Sequence, residues 1–146
     1  MTYLKPLQSI FLKEENMALV KQFSVFVQNK IGTLHQLTKL LAKHNINIRA
    51  FSIADEMEWG VVRLIVDDEA RAREVLKTEG IMFGENTVVL HRLPNRPGAL
   101  AEAAKILAKN KISVISAYAT GDGTETTVIF STSDNRKAHG LLKMSL

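Results

Sequence analysis

Asn29-Lys30-Ile31-Gly32-Thr33-Leu34 and Asn95-Arg96-Pro97-Gly98-Ala99-Leu100 are the two stretches whose residue types could hold a ligand. Each lies between a β-like run and a helix-like run. The glycine therefore sits at a strand-to-helix junction, where the backbone bends sharply and the first helical amides have no partner inside the helix. Such amides attract anions, carboxylates included, and an asparagine side chain can both donate and accept beside them. The plain alternative is that Asn-x-x-Gly only makes the turn.

Other chemistry has weaker support. The four histidines, His35, His44, His91 and His139, include no pair at i, i+4 and no nearby acid in a ligand pattern, so no metal site is expected. His35 lies one turn into the first helix, beside the candidate ligand turn. With no cysteine in the chain, disulfides, thiolate metal sites and a cysteine nucleophile are excluded. Gly121-Asp122-Gly123 stands between two strands, whereas a dinucleotide fingerprint needs a helix after it. Asp55, Glu56 and Glu58 read as a solvated turn, and Met57 and Trp59 beside them as edge packing or a partner surface. The chain is expected to be no enzyme and to need no cofactor.

The elements that must position these turns belong to a globular chain. Of 146 residues, 46% are hydrophobic and 23% charged, with a net charge of +4. No stretch has the roughly 20 apolar residues of a membrane helix, and no signal-peptide pattern opens the chain, so the cytoplasm and no membrane are expected. Lys39, Lys43, Lys105, Lys109 and Lys111 fall on the polar sides of helices without interleaved aromatics, so nucleic acid is not an expected partner.

Lys21 to Val27 alternates as a half-buried strand, interrupted only by Phe26. Leu34, Leu37 and Leu41 make a helical stripe that ends near His44. Ile46 to about Ala54 and Trp59 to Val66 read as a strand hairpin. Asp67-Asp68-Glu69 starts a second helix, which stops at Gly80, and Ile81-Met82-Phe83 is a short fourth strand before Gly84. The pattern then repeats: a strand with Val88 to Leu93, a helix over Leu100 to Asn110, strands over Ile112 to Thr120 and Thr126 to Ser131. Residues 1 to 16, with Leu4, Leu7, Ile10 and Phe11 at helical spacing behind Pro6, are expected to form either a docked helix or a disordered leader.

The two turns lie 66 residues apart, and eight of the eighteen positions from 29 to 46 are identical at that offset. Internal duplication explains this better than chance. A β-α-β-β-α-β unit with Asn-x-Pro-Gly-x-Leu at its first turn resembles an ACT domain. Gln22 to Val27 with Asn29 to Gly32, Asn45 to Ala50, and Arg63 to Val66 resemble small stand-alone tandem ACT proteins. The resemblance implies an α+β fold of two ferredoxin-like units: a leader over 1–17, one unit over 18–85 and another over 86–146. It further implies a regulatory protein binding an amino acid at an interface of ACT units. The residues it points to are Asn29, Ile31, Gly32 and Leu34, with Asn95, Pro97, Gly98 and Leu100. Ile31 departs from the pattern, which has proline there. The competing expectation is a regulatory subunit of an amino-acid biosynthetic enzyme, of acetolactate synthase type, acting through protein contacts.

Ile81 has its repeat counterpart at position 147, so the second unit is expected to lack a last strand of its own. The uncovered sheet edge, or a strip of helix, would then be paired across a two-fold axis, giving a homodimer. Residues 1 to 16 compete for the same gap.

Overall fold

The computed structural model describes residues 17–56, 58–121 and 123–144. The chain divides into two units. The first is Lys21–Asn86; the second is Thr87–Leu146 together with the stretch that ends at Val20. The elements are β1 (Met17–Gln28), α1 (Thr33–Lys43), β2 (Ile48–Glu56), β3 (Trp59–Val66), α2 (Glu69–Thr78), β4 (Phe83–Pro94), α3 (Ala99–Lys109), β5 (Val114–Thr120), β6 (Glu125–Thr132) and α4 (Asn135–Met144). The expected helix over residues 1–16 lies outside the described residues. Among the described residues no helix is long and apolar enough to cross a membrane.

In the first unit the strands run in the order β2-β3-β1-β4. β1 and β2 both pair antiparallel with β3, Phe23 and Phe51 each opposite Leu64. Alternation along β1 places Phe23 and Val25 in the core with Val62 and Leu64 of β3, and the α1 stripe adds Leu37 and Leu41. Lys39 and Lys43, on the other side of α1, are exposed. Asp68 caps α2 by accepting a hydrogen bond from the Arg71 amide at 3.0 Å, as the acidic run at its start predicts.

Gly84-Glu85-Asn86 is no break between two strands. β4 runs unbroken from Phe83 to Pro94. Polar residues stay in the strand because each has a partner: Arg73 donates two hydrogen bonds to Glu85, at 2.7 and 2.6 Å, and the Gln22 amide nitrogen donates to Asn86 at 3.4 Å. The bidentate guanidinium holds the Glu85 carboxyl below its usual range. It also lies 6.0 Å from the Phe23 ring centre, so α2, β4 and β1 meet there.

The second unit has the order β1-β4-β6-β5. After β6 comes α4, and no strand follows it among the described residues, as expected. The edge is nonetheless occupied, because Met17–Val20 of β1 belongs to this unit and Leu19 packs against its core. No second copy is therefore needed to cover this edge. β1 is long enough to supply the missing strand.

The duplication persists in backbone detail. Asn45 and Lys111, 66 residues apart, both have φ 58°, and both helices close by a bond to the same relative carbonyl, Ile46 N to Leu41 O and Ile112 N to Leu107 O, each 2.9 Å. Asparagine adopts that left-handed conformation at less cost than lysine. Lys111→Asn should therefore stabilise the protein by about 0.5–1 kcal/mol in denaturant unfolding; a loss of stability would contradict this.

His91 lies in the second unit's β4, 2% exposed, and its Nδ1 has no hydrogen-bond partner. Burial, reinforced by His139, lowers its pKa from 6.5 to about 4. The unfolded chain takes up this proton near pH 6.5 and the folded chain only near pH 4. Stability from this source is thus complete above about 6.5 and lost as pH falls toward 4. The loss should reach at most about 3 kcal/mol. Unfolding measured across that window should show a smaller slope for His91→Gln; an identical slope would place the titration elsewhere.

Candidate functional site

Each candidate turn is built by the same hydrogen bonds. In the first unit the Asn29 amide donates to Glu58 O at 2.9 Å, tying the end of β1 to the β2–β3 hairpin, and the Lys30 amide donates to Gln28 O at 2.9 Å. Gly32 then takes φ 90° and becomes the N-cap of α1, with no side-chain cap on the helix. In the second unit Asn95 donates to Thr124 O at 2.9 Å, Arg96 to Pro94 O at 3.0 Å, and Gly98 also has φ 90°. A Cβ at Gly32 would meet nothing within 4 Å. Conformation, not space, requires glycine there: an L side chain at such a φ costs about 1–2 kcal/mol.

The eight residues expected to hold a ligand fall on these two turns, four in each unit. Ile31 is fully exposed, and Leu34 and Leu100 are also exposed. Asn29, with Gln28, Lys30, Glu58 and Trp59, lines a shallow concavity of about 290 Å³. The Asn95 side-chain amide donates to Gly123 O at 2.8 Å and so fastens the β5–β6 hairpin. Pro97 and Gly98 lie on the exposed turn surface. Gly32 and Gly98 act through the backbone they permit.

A larger groove opens beside the first turn, with a volume of about 610 Å³. One wall is α1, through Thr33, Gln36, Leu37 and Leu40; the opposite one is the link from α2 to β4, through Glu79 to Met82. Phe26, Val27 and Trp59 complete the apolar lining, and Lys30 belongs to both this groove and the Asn29 concavity. Position along the strands brings the groove together: the Phe26 amide donates to Met82 O at 3.0 Å, so the end of β1 and the start of β4 lie side by side. His35 is exposed and lines neither concavity.

None of the eight expected residues lines this larger groove, and sequence reasoning missed the residues that do, Phe26, Leu40 and Met82 among them. Phe26 did leave a signal, since it is the one apolar residue that interrupts the alternation of β1. Trp59 stood out as an apolar residue among charges, and it is about half exposed at the groove. Among the described residues no group of three or more His, Cys, Asp or Glu side chains could hold a metal ion.

With this fold and these turns the chain belongs to the ACT domain pair family, whose model matches residues 17–145. A protein of Bacteroides thetaiotaomicron of known crystal structure is similar to it, at 33% identity and a TM-score of 0.83, over 89% of this chain and 90% of that one. The regulatory subunit of aspartate kinase from Thermus thermophilus, in ligand-free form, shares the fold at 13% identity, with a TM-score of 0.65 over 89% and 96% of the two chains. Aspartokinase alpha and beta subunits do so at 16% identity and 0.62, over 90% and 98%. No curated protein matches the sequence.

The two turns differ in what restrains them. Pro97 has its φ already set, and Arg96 reaches both carboxylate oxygens of Glu102 at 3.2 and 3.0 Å, an exposed pair that orders the turn more than it stabilises the fold. Ile31 and Lys30 provide neither. Amide hydrogen exchange should be slower across Asn95–Leu100 than across Asn29–Leu34; the reverse order would contradict this reading.

Proposed function

We propose that this protein is a regulatory ligand-binding protein of the cytoplasm that takes an amino acid at the strand-to-helix turn of its first unit and passes that occupancy to a partner or to its own assembly. The observation that carries the proposal is the groove of about 610 Å³ at that turn, sharing Lys30 with the concavity of Asn29. A cleft of this size with an apolar lining and a few converging polar groups is the usual form of a small-molecule site. An amino acid's carboxylate finds a cation, Lys30, in the groove and an asparagine, Asn29, in the adjoining concavity, beside a helix start without a side-chain cap. Membership of the ACT pair family supports a regulatory role, and the aspartate kinase regulatory subunit of the same fold supplies the analogy.

A second reading is a regulatory subunit that acts by protein contact on an amino-acid biosynthetic enzyme, such as an acetolactate synthase. The full exposure of Ile31, with Leu34 exposed on the same turn, favours it. Such residues also suit a homodimer through the turn, with the ligand enclosed between copies.

Calorimetry of the full chain against the twenty amino acids tests the first reading. One of them should bind, and Asn29→Ala should weaken it about tenfold to a hundredfold, the worth of hydrogen bonds to a charged group. If Asn29→Ala and Asn95→Ala both bind as tightly as the parent, the turns are not the site.

A further inference from the structure

We infer that the groove of the first unit is selective for a free amino acid with a large apolar side chain, and that the second unit has lost the equivalent site. This rests on the amino-acid reading above and narrows it. The groove is chemically divided. Leu37, Leu40 and Met82 give it an apolar floor, with Phe26 and Trp59 at the flank. Lys30 and Glu79 both line it, and neither side chain has a hydrogen-bond or ion-pair partner among the described residues. Opposite charges left open over an apolar floor match a zwitterion whose side chain is apolar: Lys30 faces the carboxylate, Glu79 the ammonium. At about 610 Å³ the groove has room for a long side chain, and a small one would leave most of the floor uncovered.

The second unit shows what the same backbone looks like when these groups are used up. At the 66-residue offset Phe26 becomes Arg92 and Trp59 becomes Glu125, and these two form an ion pair at 3.7 Å. Lys30 becomes Arg96 and Gln36 becomes Glu102, paired at 3.0 Å. Leu37 becomes Ala103, which removes much of one floor residue. The apolar flank is now charged, and the cation of the turn already holds a carboxylate of its own unit. A ligand there would have to displace two ion pairs and would find little apolar surface in return. One ligand per chain follows.

Trp59 is the only tryptophan in the chain and lines the groove, so its fluorescence reports directly on occupancy. The full chain is titrated with L-leucine, L-isoleucine and L-methionine, and with L-alanine, L-serine and L-aspartate, while calorimetry gives the stoichiometry. At about fourfold per buried methylene, leucine should bind at least tenfold tighter than alanine, with a saturable Trp59 signal and one site per chain. Leucinamide and N-acetylleucine, each lacking one charge of the zwitterion, should bind at least tenfold more weakly than leucine. The double variant Phe26→Arg/Trp59→Glu, which copies the second unit, should lose leucine binding by calorimetry; the two leucine analogues keep the proposal testable if that variant fails to fold. Tighter binding of serine or aspartate, two sites per chain, or a leucine affinity unchanged by loss of either charge would overturn this inference and leave the amino-acid reading standing. Binding of none of the twenty amino acids would overturn both.

Discussion

The left-handed glycine at each strand-to-helix turn, Gly32 in one unit and Gly98 in the other, sets the direction in which the following helix leaves its strand. Both are at φ 90°, where an L side chain is strained, and both are anchored by the preceding asparagine's amide on the neighbouring hairpin. From this constraint the rest follows. α1 returns over the sheet with Leu37 and Leu41 inward, its first turn stays free of a side-chain cap, and the residues between strand and helix are left on the surface. The energy that holds the turn in place comes from the core beneath it, where each buried leucine is worth roughly 1.5–3 kcal/mol, and not from the turn itself.

Two copies of one backbone have diverged in their side chains, and the divergence falls around the groove and spares positions that set the fold. Positions that set the fold keep their type at the 66-residue offset: Gly32 and Gly98, Leu41 and Leu107, Ile46 and Ile112. Asp68 and Asp134 likewise both accept a hydrogen bond from the amide three residues on, at 3.0 and 3.1 Å. Positions around the groove do not. Phe26, Lys30 and Trp59 are replaced by residues that pair with acids or bases of their own unit. The second turn, stiffened by Pro97 and by the Asn95 bond to Gly123, serves its own hairpin.

Much of this architecture was legible because its determinants are local. β3 has the bounds Trp59–Val66 that its β-branched run predicts, and α2 starts at the acidic run and stops before Gly80. The split β-α-β-β-α order followed from the repeat. What was not legible depends on partners far along the chain. The sequence ends a short strand before Gly84, whereas β4 runs on through Glu85 and Asn86 because Arg73 and Gln22 hold their polar side chains. Likewise, no local pattern says that Met17–Val20 would belong with residues after Thr87. The candidate turns are read from glycine and asparagine, but the groove itself needs β1 beside the start of β4, a pairing that periodicity cannot reveal. Phe26 and Trp59, apolar residues that broke their local pattern, are among those that line it.

Where a ligand sits is the deciding observation. Backbone amide shifts of the labelled full chain, followed as L-leucine is added, test that directly. The largest changes should fall on Lys30, Thr33 and Gly80 to Met82, with Arg96, Ala99 and Glu102 unmoved. Changes centred on Asn95 to Glu102, or equal at both turns, would contradict it.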